Sequence, residues 1–273
     1  MKCKSIFSAN IFTGAFMLAS IGGMFSSSAN EAIQVQEIVA KASHASYYQG
    51  KSGRAKVQMT IEDKQKNQRI KKFTILREDI KNDVDEGQKF YIYFTYPSDE
   101  RGTSFLVWKH LSKADDRWLY LPGLDLVKPI AASDERSSFV GSDFLYEDVS
   151  GRIPSEDQHE LVKTTDNFYV VQSTPIDASK VEFSSYKSWI HKQSFLPVKS
   201  EFYDKNGKAY RVYEATKVET IASYPTVVES KMTNLVQGSH TLLKYMDVKY
   251  DIEFKENIFT EKYVRTPPRA YLK

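Results

Sequence analysis

The hydrophobic pattern of this chain changes period once, and that change organises everything after it. Val35, Ile38, Val39, Ala42 and Ala45 recur at spacings of three and four, the period of an amphipathic helix. With Asn30 as its cap, the pattern predicts a helix over residues 31–48. Beyond it the apolar positions alternate. Val57, Met59 and Ile61 interleave with Lys56, Gln58, Thr60 and Glu62, and Phe73 and Ile75 interleave with Lys72 and Thr74, which is the period of half-buried strands. The polar stretch 63–68 joins these two as antiparallel neighbours. Alternating or continuously apolar runs at 88–96, 103–110, 117–121, 167–174, 181–192, 197–204, 208–219, 226–237 and 240–250 predict further strands. Asn206-Gly207 is a strong hairpin signal, because both residues tolerate the positive φ of a tight turn, and Gly238-Ser239 is a second. About eleven strands in sequence order, with no repeat and no linker, predict one antiparallel meander in a single domain over residues 30–273. Two stretches break it. Residues 122–166 mix Pro, Gly, Ser and acidic side chains over a length that exceeds ordinary connections, and the tail from Glu256 runs into Pro267-Pro268, which ends regular pairing.

The start of the chain reads as an address. Lys2 and Lys4 precede a mostly apolar run over 11–25, followed by Ser26-Ser27-Ser28-Ala29. These are the three parts of a secretory signal peptide over residues 1–29, cleaved near Ala29, and they predict an exported, periplasmic protein. An uncleaved anchor is the alternative, but Asn10, Thr13, Gly14, Ser20, Gly22 and Gly23 make a weak span. Cys3, the one cysteine, lies ahead of the apolar run, so neither a lipid anchor after that run nor a disulfide is expected. The 273 residues are 41% hydrophobic and 13% aromatic, with 17 Tyr and 16 Phe, a composition that belongs to a folded chain. The 38 basic and 35 acidic side chains are interspersed and sum to +3. No broad basic face is expected, and therefore no nucleic-acid partner.

Catalytic and metal motifs are sparse. His44, His110, His159, His191 and His240 are far apart and never form the close pairs that bind zinc. The chain has no Gly-x-Ser-x-Gly elbow, no phosphate-binding glycine loop and no calcium loop. Asp115-Asp116, Asp134-Glu135 and Glu147-Asp148 are acidic pairs capable in principle of acid/base work, but their place in loops and at strand ends reads as solvated turn carboxylates. No enzyme activity, metal or cofactor is expected.

The informative region is Phe90 to Tyr146. In the run Phe90-Tyr91-Ile92-Tyr93-Phe94, and again in Phe105-Leu106-Val107-Trp108 and Trp118-Leu119-Tyr120-Leu121, both faces are apolar. Such strands must be covered on both sides. Two architectures satisfy this: a sandwich with a second sheet on one face, or a strongly curved sheet whose concave face is partly filled and takes an apolar ligand.

Asp116-Arg117-Trp118-Leu119-Tyr120-Leu121-Pro122, then Lys128, Arg136 and the run Ser138-Phe139-Val140-Gly141-Ser142-Asp143-Phe144-Leu145-Tyr146-Glu147-Asp148 resemble the central motif of the outer-membrane lipoprotein-sorting, LolA-like family. The preceding Tyr96-Pro97-Ser98-Asp99-Glu100-Arg101-Gly102-Thr103 is similar to that family's turn into the next strand. The resemblance implies a mainly β fold: a single curved antiparallel sheet forming an unclosed half β-barrel, with the N-terminal helix and short central helices as a lid. It also implies a monomeric periplasmic carrier that holds acyl chains of a lipid or lipoprotein cargo and moves them towards an outer-membrane acceptor with transient membrane contact. Members of this branch are often paired with inner-membrane exporters of the resistance-nodulation-division type. A non-carrier β-scaffold or accessory subunit of such an exporter is the alternative.

For a carrier, the expected lining is Met59, Ile61, Phe73, Ile75, Phe90, Ile92, Phe94, Phe105, Val107, Trp118 and Tyr120, with Leu124, Phe139, Phe144 and Leu145 from the central segment. A one-residue register error would exchange the two faces of each strand. Gly141 is expected to permit a bend that presents Phe139 and Phe144 together, and Lys128 and Arg136 are the candidate contacts to an anionic head group, with plain solvation of both as the alternative.

Overall fold

The computed structural model describes residues 33–81 and 84–273. The expected leader, its cleavage site and the Asn30 cap lie outside the described residues. Next to the middle of the sheet is β1 (Ser52–Glu62), which pairs on one side with β2 (Gln68–Asp79) and on the other with the last strand, β13 (Ser239–Tyr250). From β1 the chain zigzags outward through β2, β3 (Gly87–Tyr96), β4 (Ser104–His110), β5 (Asp116–Leu121) and β6 (Leu126–Pro129). It then crosses to the opposite edge at β7 (Asp157–Thr164) and zigzags back through β8 (Phe168–Pro175), β9 (Ser185–His191), β10 (Pro197–Tyr203), β11 (Ala209–Ile221) and β12 (Tyr224–Asn234) to β13. The order across the sheet is β6-β5-β4-β3-β2-β1-β13-β12-β11-β10-β9-β8-β7, antiparallel throughout.

The fold is the unclosed single sheet that the sequence implied, with differences that have local causes. The described residues form thirteen strands, because β6 and β7 lie inside the 122–166 stretch that carries no strand pattern. Both are edges: β6 is four residues ending in Pro129, which an edge tolerates because no partner needs its missing N–H. In β7 the inner positions are Asp157, His159 and Leu161, so hydrophobic alternation hardly shows. The arrangement is two meanders joined edge to edge by the 130–156 crossing. The strand expected over 181–192 is shorter, since Val181 and Phe183 are buried before β9 begins.

The strands that are apolar on both faces are covered twice, by different parts of the chain. On one face Phe73, Phe90, Ile92, Phe94, Phe105, Val107 and Leu119 pack with Ile130, Phe139, Phe144 and Tyr146 of the crossing. On the other, Leu76, Tyr91, Leu106, Trp108, Trp118 and Tyr120 pack with Phe254, Ile258, Phe259 and Val264 of the C-terminal tail, which includes a short helix, Glu261–Arg265. Tail backbone carbonyls also satisfy the polar groups of that face. Trp108 Nε1 donates to the Phe259 carbonyl at 2.8 Å and Tyr91 Oη to that of Tyr263 at 2.9 Å. The cover is thus tail and crossing, and no second sheet is present among the described residues.

The N-terminal helix α1 (Val35–Ser43) buries Ile38 and Ala42, one turn apart, and continues through a wider, π-helical turn at His44–Tyr48 that buries Ala45 and Tyr48. Ile38 and Ala42 pack on Val171 of β8 and Ile190 of β9. The central helix α2 (Tyr146–Ser150) lies within the crossing. No helix among the described residues is long and apolar enough to cross a membrane.

Phe259 is fully buried in the tail cluster, so Phe259→Ala is expected to destabilise the protein by about 3–5 kcal/mol, read from denaturant unfolding. An effect under about 1 kcal/mol would show that the tail is not an integral cover of that face.

Candidate functional site

A cavity of about 460 Å³ lies between α1 and the sheet, lined by residues of β1, β2 and β3 from one meander and of β8 to β13 from the other. β3 and β8 are eight strand spacings apart in the sheet order. In a flat sheet they would be separated by roughly 38 Å at ~4.8 Å per spacing, so a shared cavity requires the sheet to curl, with this face concave. The volume is that of a small-molecule site, for which about 300–1,000 Å³ is usual.

The crossing closes one end of the concavity, and its sequence motif explains how. Val140 and Gly141 both have positive φ, +46° and +79°, and make a tight turn in which Phe139 N donates to the Phe144 carbonyl at 2.8 Å and Ser142 N to the Phe139 carbonyl at 3.0 Å. That turn brings Phe139 and Phe144 into one cluster. Phe139 sits 5.7 Å from Phe105, 6.2 Å from Phe94 and 6.4 Å from Phe73, centroid to centroid. The acidic residues of the motif hold the turn to the far meander. Asp143 accepts from Ser239 at 2.5 Å and Thr241 at 2.7 Å on β13. Asp148 is paired with Arg211 of β11 and accepts from Leu145 N at 2.6 Å. Glu147 is paired with Arg136 and, at 3.0 Å, with Arg152, while Arg152 grips Asp157 of β7 through two bonds at 2.8 and 2.9 Å. Phe183 lies under both guanidinium groups, at 5.0 and 5.4 Å, a stacking that favours desolvated arginine. Glu147 and Asp148 therefore act as anchors.

The lid and the crossing meet closely. Gly151 has φ +79°, and a side chain there would come within 2.5 Å of the Tyr47 ring in the π-helical turn. Arg77 Nη2 donates to the Gln49 carbonyl at 2.6 Å, so the end of the lid is also tied to β2.

Of the expected lining, Met59, Phe73, Ile75, Phe90, Ile92, Phe139 and Phe144 border the cavity. Ile61, Phe94, Phe105 and Val107 lie in the same cluster, beneath the crossing. Trp118 and Tyr120 face the opposite side, against the tail. Leu119 pairs with Phe105 across the ladder, which puts odd positions of β5 on the concave face; the expectation had the parity of this strand reversed. Leu124 is 72% exposed at a turn tip and Leu145 is half-buried outside the cavity. Neither expected head-group cation borders it. Arg136 is held by Glu147 and Glu182, and Lys128 is exposed on the edge strand β6. The cavity walls that the sequence reading missed come from the second meander, including Ser173, Ser188, Ser200, Ser230, Tyr213 and Met232. Their signal was plain period-2 alternation with small inner residues, which leave space where the aromatic strands fill it.

Three of the solved structures that match this chain illustrate the shared fold. They are a DUF1329 family protein from Desulfovibrio piger, 22% identical with a TM-score of 0.76 over 84% of this chain and 96% of that one; an outer membrane lipoprotein-sorting protein domain from Vibrio parahaemolyticus, 26% identical with a TM-score of 0.74 over 84% and 96%; and a LolA superfamily protein from Nitrosomonas europaea, 21% identical with a TM-score of 0.64 over 85% and 100%. A family model described as that of an uncharacterized protein matches residues 86–266. No curated protein matches the sequence.

The anchoring of the crossing should be sensitive to acid. Burial raises the Glu182 carboxyl, but the hydrogen bonds and charge of Arg136, with the Tyr210 hydroxyl, outweigh it and hold it at about 2, below its ordinary 4.5. The stabilisation from this group is complete above about pH 4.5 and is lost as pH falls towards 2. Glu182→Gln is therefore expected to flatten the fall of the thermal midpoint across that window. An unchanged acid profile would show that the pair does not hold the crossing.

Proposed function

Because the chain belongs to the outer-membrane lipoprotein-sorting, LolA-like family, we propose that it is a periplasmic carrier that holds the acyl chain of a lipid or lipoprotein between α1 and the concave face of its sheet and moves it towards the outer membrane. One observation carries this reading. The concave face is not filled: an apolar cavity of about 460 Å³ remains under a helix that is part of neither meander. An accessory scaffold would have no use for unfilled apolar space, which weakens a core by its missing contacts.

The energetics set the demands on such a site. Each methylene of an acyl chain gains about 0.8 kcal/mol on leaving water, so a long chain needs a continuous apolar sleeve to cross an aqueous compartment. Phe73, Phe90, Ile92, Phe144 and Met59 provide that surface on one side, and Val171, Ile190, Met232 and Leu243 on the other. The row of serines tolerates water when the site is empty, because hydroxyls keep hydrogen-bond partners there; Ser188 and Ser200 already pair at 2.9 Å. An inner-membrane exporter as donor and an outer-membrane acceptor complete the proposed route.

Protein purified from its native host is expected to yield acyl lipid in the mass spectrum of its organic extract, and the purified chain to bind a fluorescent fatty acid. Ser230 is buried and borders the cavity. Ser230→Trp should lower fatty-acid affinity by about ten-fold or more, the loss of one side of the sleeve, with the far-ultraviolet spectrum retained. A lipid-free extract together with no fatty-acid uptake would overturn the carrier reading.

A further inference from the structure

A second cavity, of about 640 Å³, opens on the other side of α1, where the two meanders fail to meet. It shares Val39, Ser43, Pro154 and His159 with the first, so the two flank the helix as neighbours. Two of its lining residues bury polar groups. Lys109 of β4 and Tyr48 of the π-helical turn contribute buried polar groups, with 2% and 4% of their surfaces exposed.

Lys109 stands apart from the other fully buried cations. Lys71 is paired with Glu100, Arg117 with Asp115 and Glu135, and Arg211 with Asp148. The Lys109 ammonium has no carboxylate partner among the described residues; it donates to the carbonyls of Ser150 and Gly151, at 2.5 and 2.6 Å, and lies 5.3 Å from the Tyr47 ring centroid. Neutral acceptors do not balance a buried charge, and burial pushes the ammonium down to about 8. The Tyr48 hydroxyl is buried with no hydrogen-bond partner, a buried donor that lacks an acceptor. The two carboxylates on the same walls are already committed: Asp157 to Arg152 and to the Tyr186 hydroxyl, and Asp85 to His44 at 3.0 Å. His159 is also satisfied, by Ser173 and the Pro154 carbonyl, each at 2.8 Å. What this cavity lacks is an anionic acceptor.

We propose that the second cavity receives an oxyanion, the carboxylate or phosphate at the polar end of an amphiphile whose acyl chain occupies the neighbouring apolar cavity, with Lys109 as its counter-charge and Tyr48 as a hydrogen-bond donor. The assignment rests on the carrier reading and narrows its cargo to lipids with an acidic head. It also moves the head-group contact from Lys128 and Arg136, expected from sequence, to Lys109, which continues the inward-facing series Phe105, Val107 along β4.

The test uses the full chain and three probes: a fluorescent long-chain fatty acid, its methyl ester and inorganic phosphate. The acid is expected to bind about ten-fold more tightly than the ester, the effect of one charge-assisted hydrogen-bonded contact. Lys109→Met should close that gap. Tyr48→Phe, which removes only an unpaired hydroxyl, should lower acid affinity about three-fold and guards against misfolding of the first variant. Phosphate should displace the acid and not the ester. Tight, equal binding of acid and ester would overturn the head-group site and leave the carrier standing. Phosphate binding that requires Lys109 while acid and ester bind equally would assign the site to a free anion and overturn the amphiphile. Binding of neither acid nor ester would overturn both readings.

Discussion

The pairing of β1 with β13 is the contact on which the rest of the structure depends. It joins the first strand of the chain to the last, and so turns what would have been a ribbon of consecutive hairpins into two meanders lying side by side. Once the middle of the sheet is fixed in this way, the chain must travel from one outer edge to the other between β6 and β7. In a curled sheet the short path between the edges runs across the concave side. The crossing over 130–156 is the part of the chain on that path, and its Phe139, Phe144 and Tyr146 fill part of the concavity on the way. Closure of one end of the site is thus a result of strand order.

The same constraint explains why charged residues concentrate at the crossing. A segment spanning two meanders cannot be held by a continuous strand ladder, since its ends belong to different edges. It is held by carboxylate and guanidinium contacts, Asp143 to β13, Asp148 to β11, and Glu147 through Arg152 to β7. Such pairs at partly buried sites are directional more than strongly stabilising. Their value lies in fixing where the Phe139 turn sits, which decides how much of the concave face is filled and how much remains open.

The strand content, the starting helix, the hairpin at Asn206-Gly207 and the unclosed single sheet were legible because each depends on local periodicity or on turn chemistry. The aromatic strands also announced that both their faces were covered. What covered them was not legible, since the tail around Phe259 and the crossing around Phe139 are distant in sequence and carry no periodic pattern. The parity of β5 was lost for a related reason: with Trp118, Leu119, Tyr120 and Leu121 all apolar, alternation gives no direction, and only the ladder partner Phe105 settles it. The second wall of the cavity was overlooked because a wall that leaves space is made of small and ordinary residues. Ser173, Ser188, Ser200 and Ser230 attract no notice in a sequence. Lys109 was hidden likewise, since an apolar strand ending in Lys-His reads as a strand reaching solvent, whereas the Ser150 and Gly151 carbonyls of the crossing bury it.

A carrier must bind strongly and still let go, and the distribution of contacts around α1 bears on both. The helix is fixed to one meander alone, through Ile38 and Ala42 on β8 and β9. On the other side its continuation buries Ala45 and Tyr48 and adds polar contacts, Arg77 to the Gln49 carbonyl and His44 to Asp85. Apolar contact weakens with the area exposed, at roughly 25 cal/mol per Å², whereas a polar contact can be exchanged for water at a net cost of only about 1 kcal/mol. That other side is also where the uncompensated charge of Lys109 lies. On the proposed reading, an acidic head group there would balance the buried ammonium while its chain fills the sleeve, and removing it would leave the charge unbalanced again.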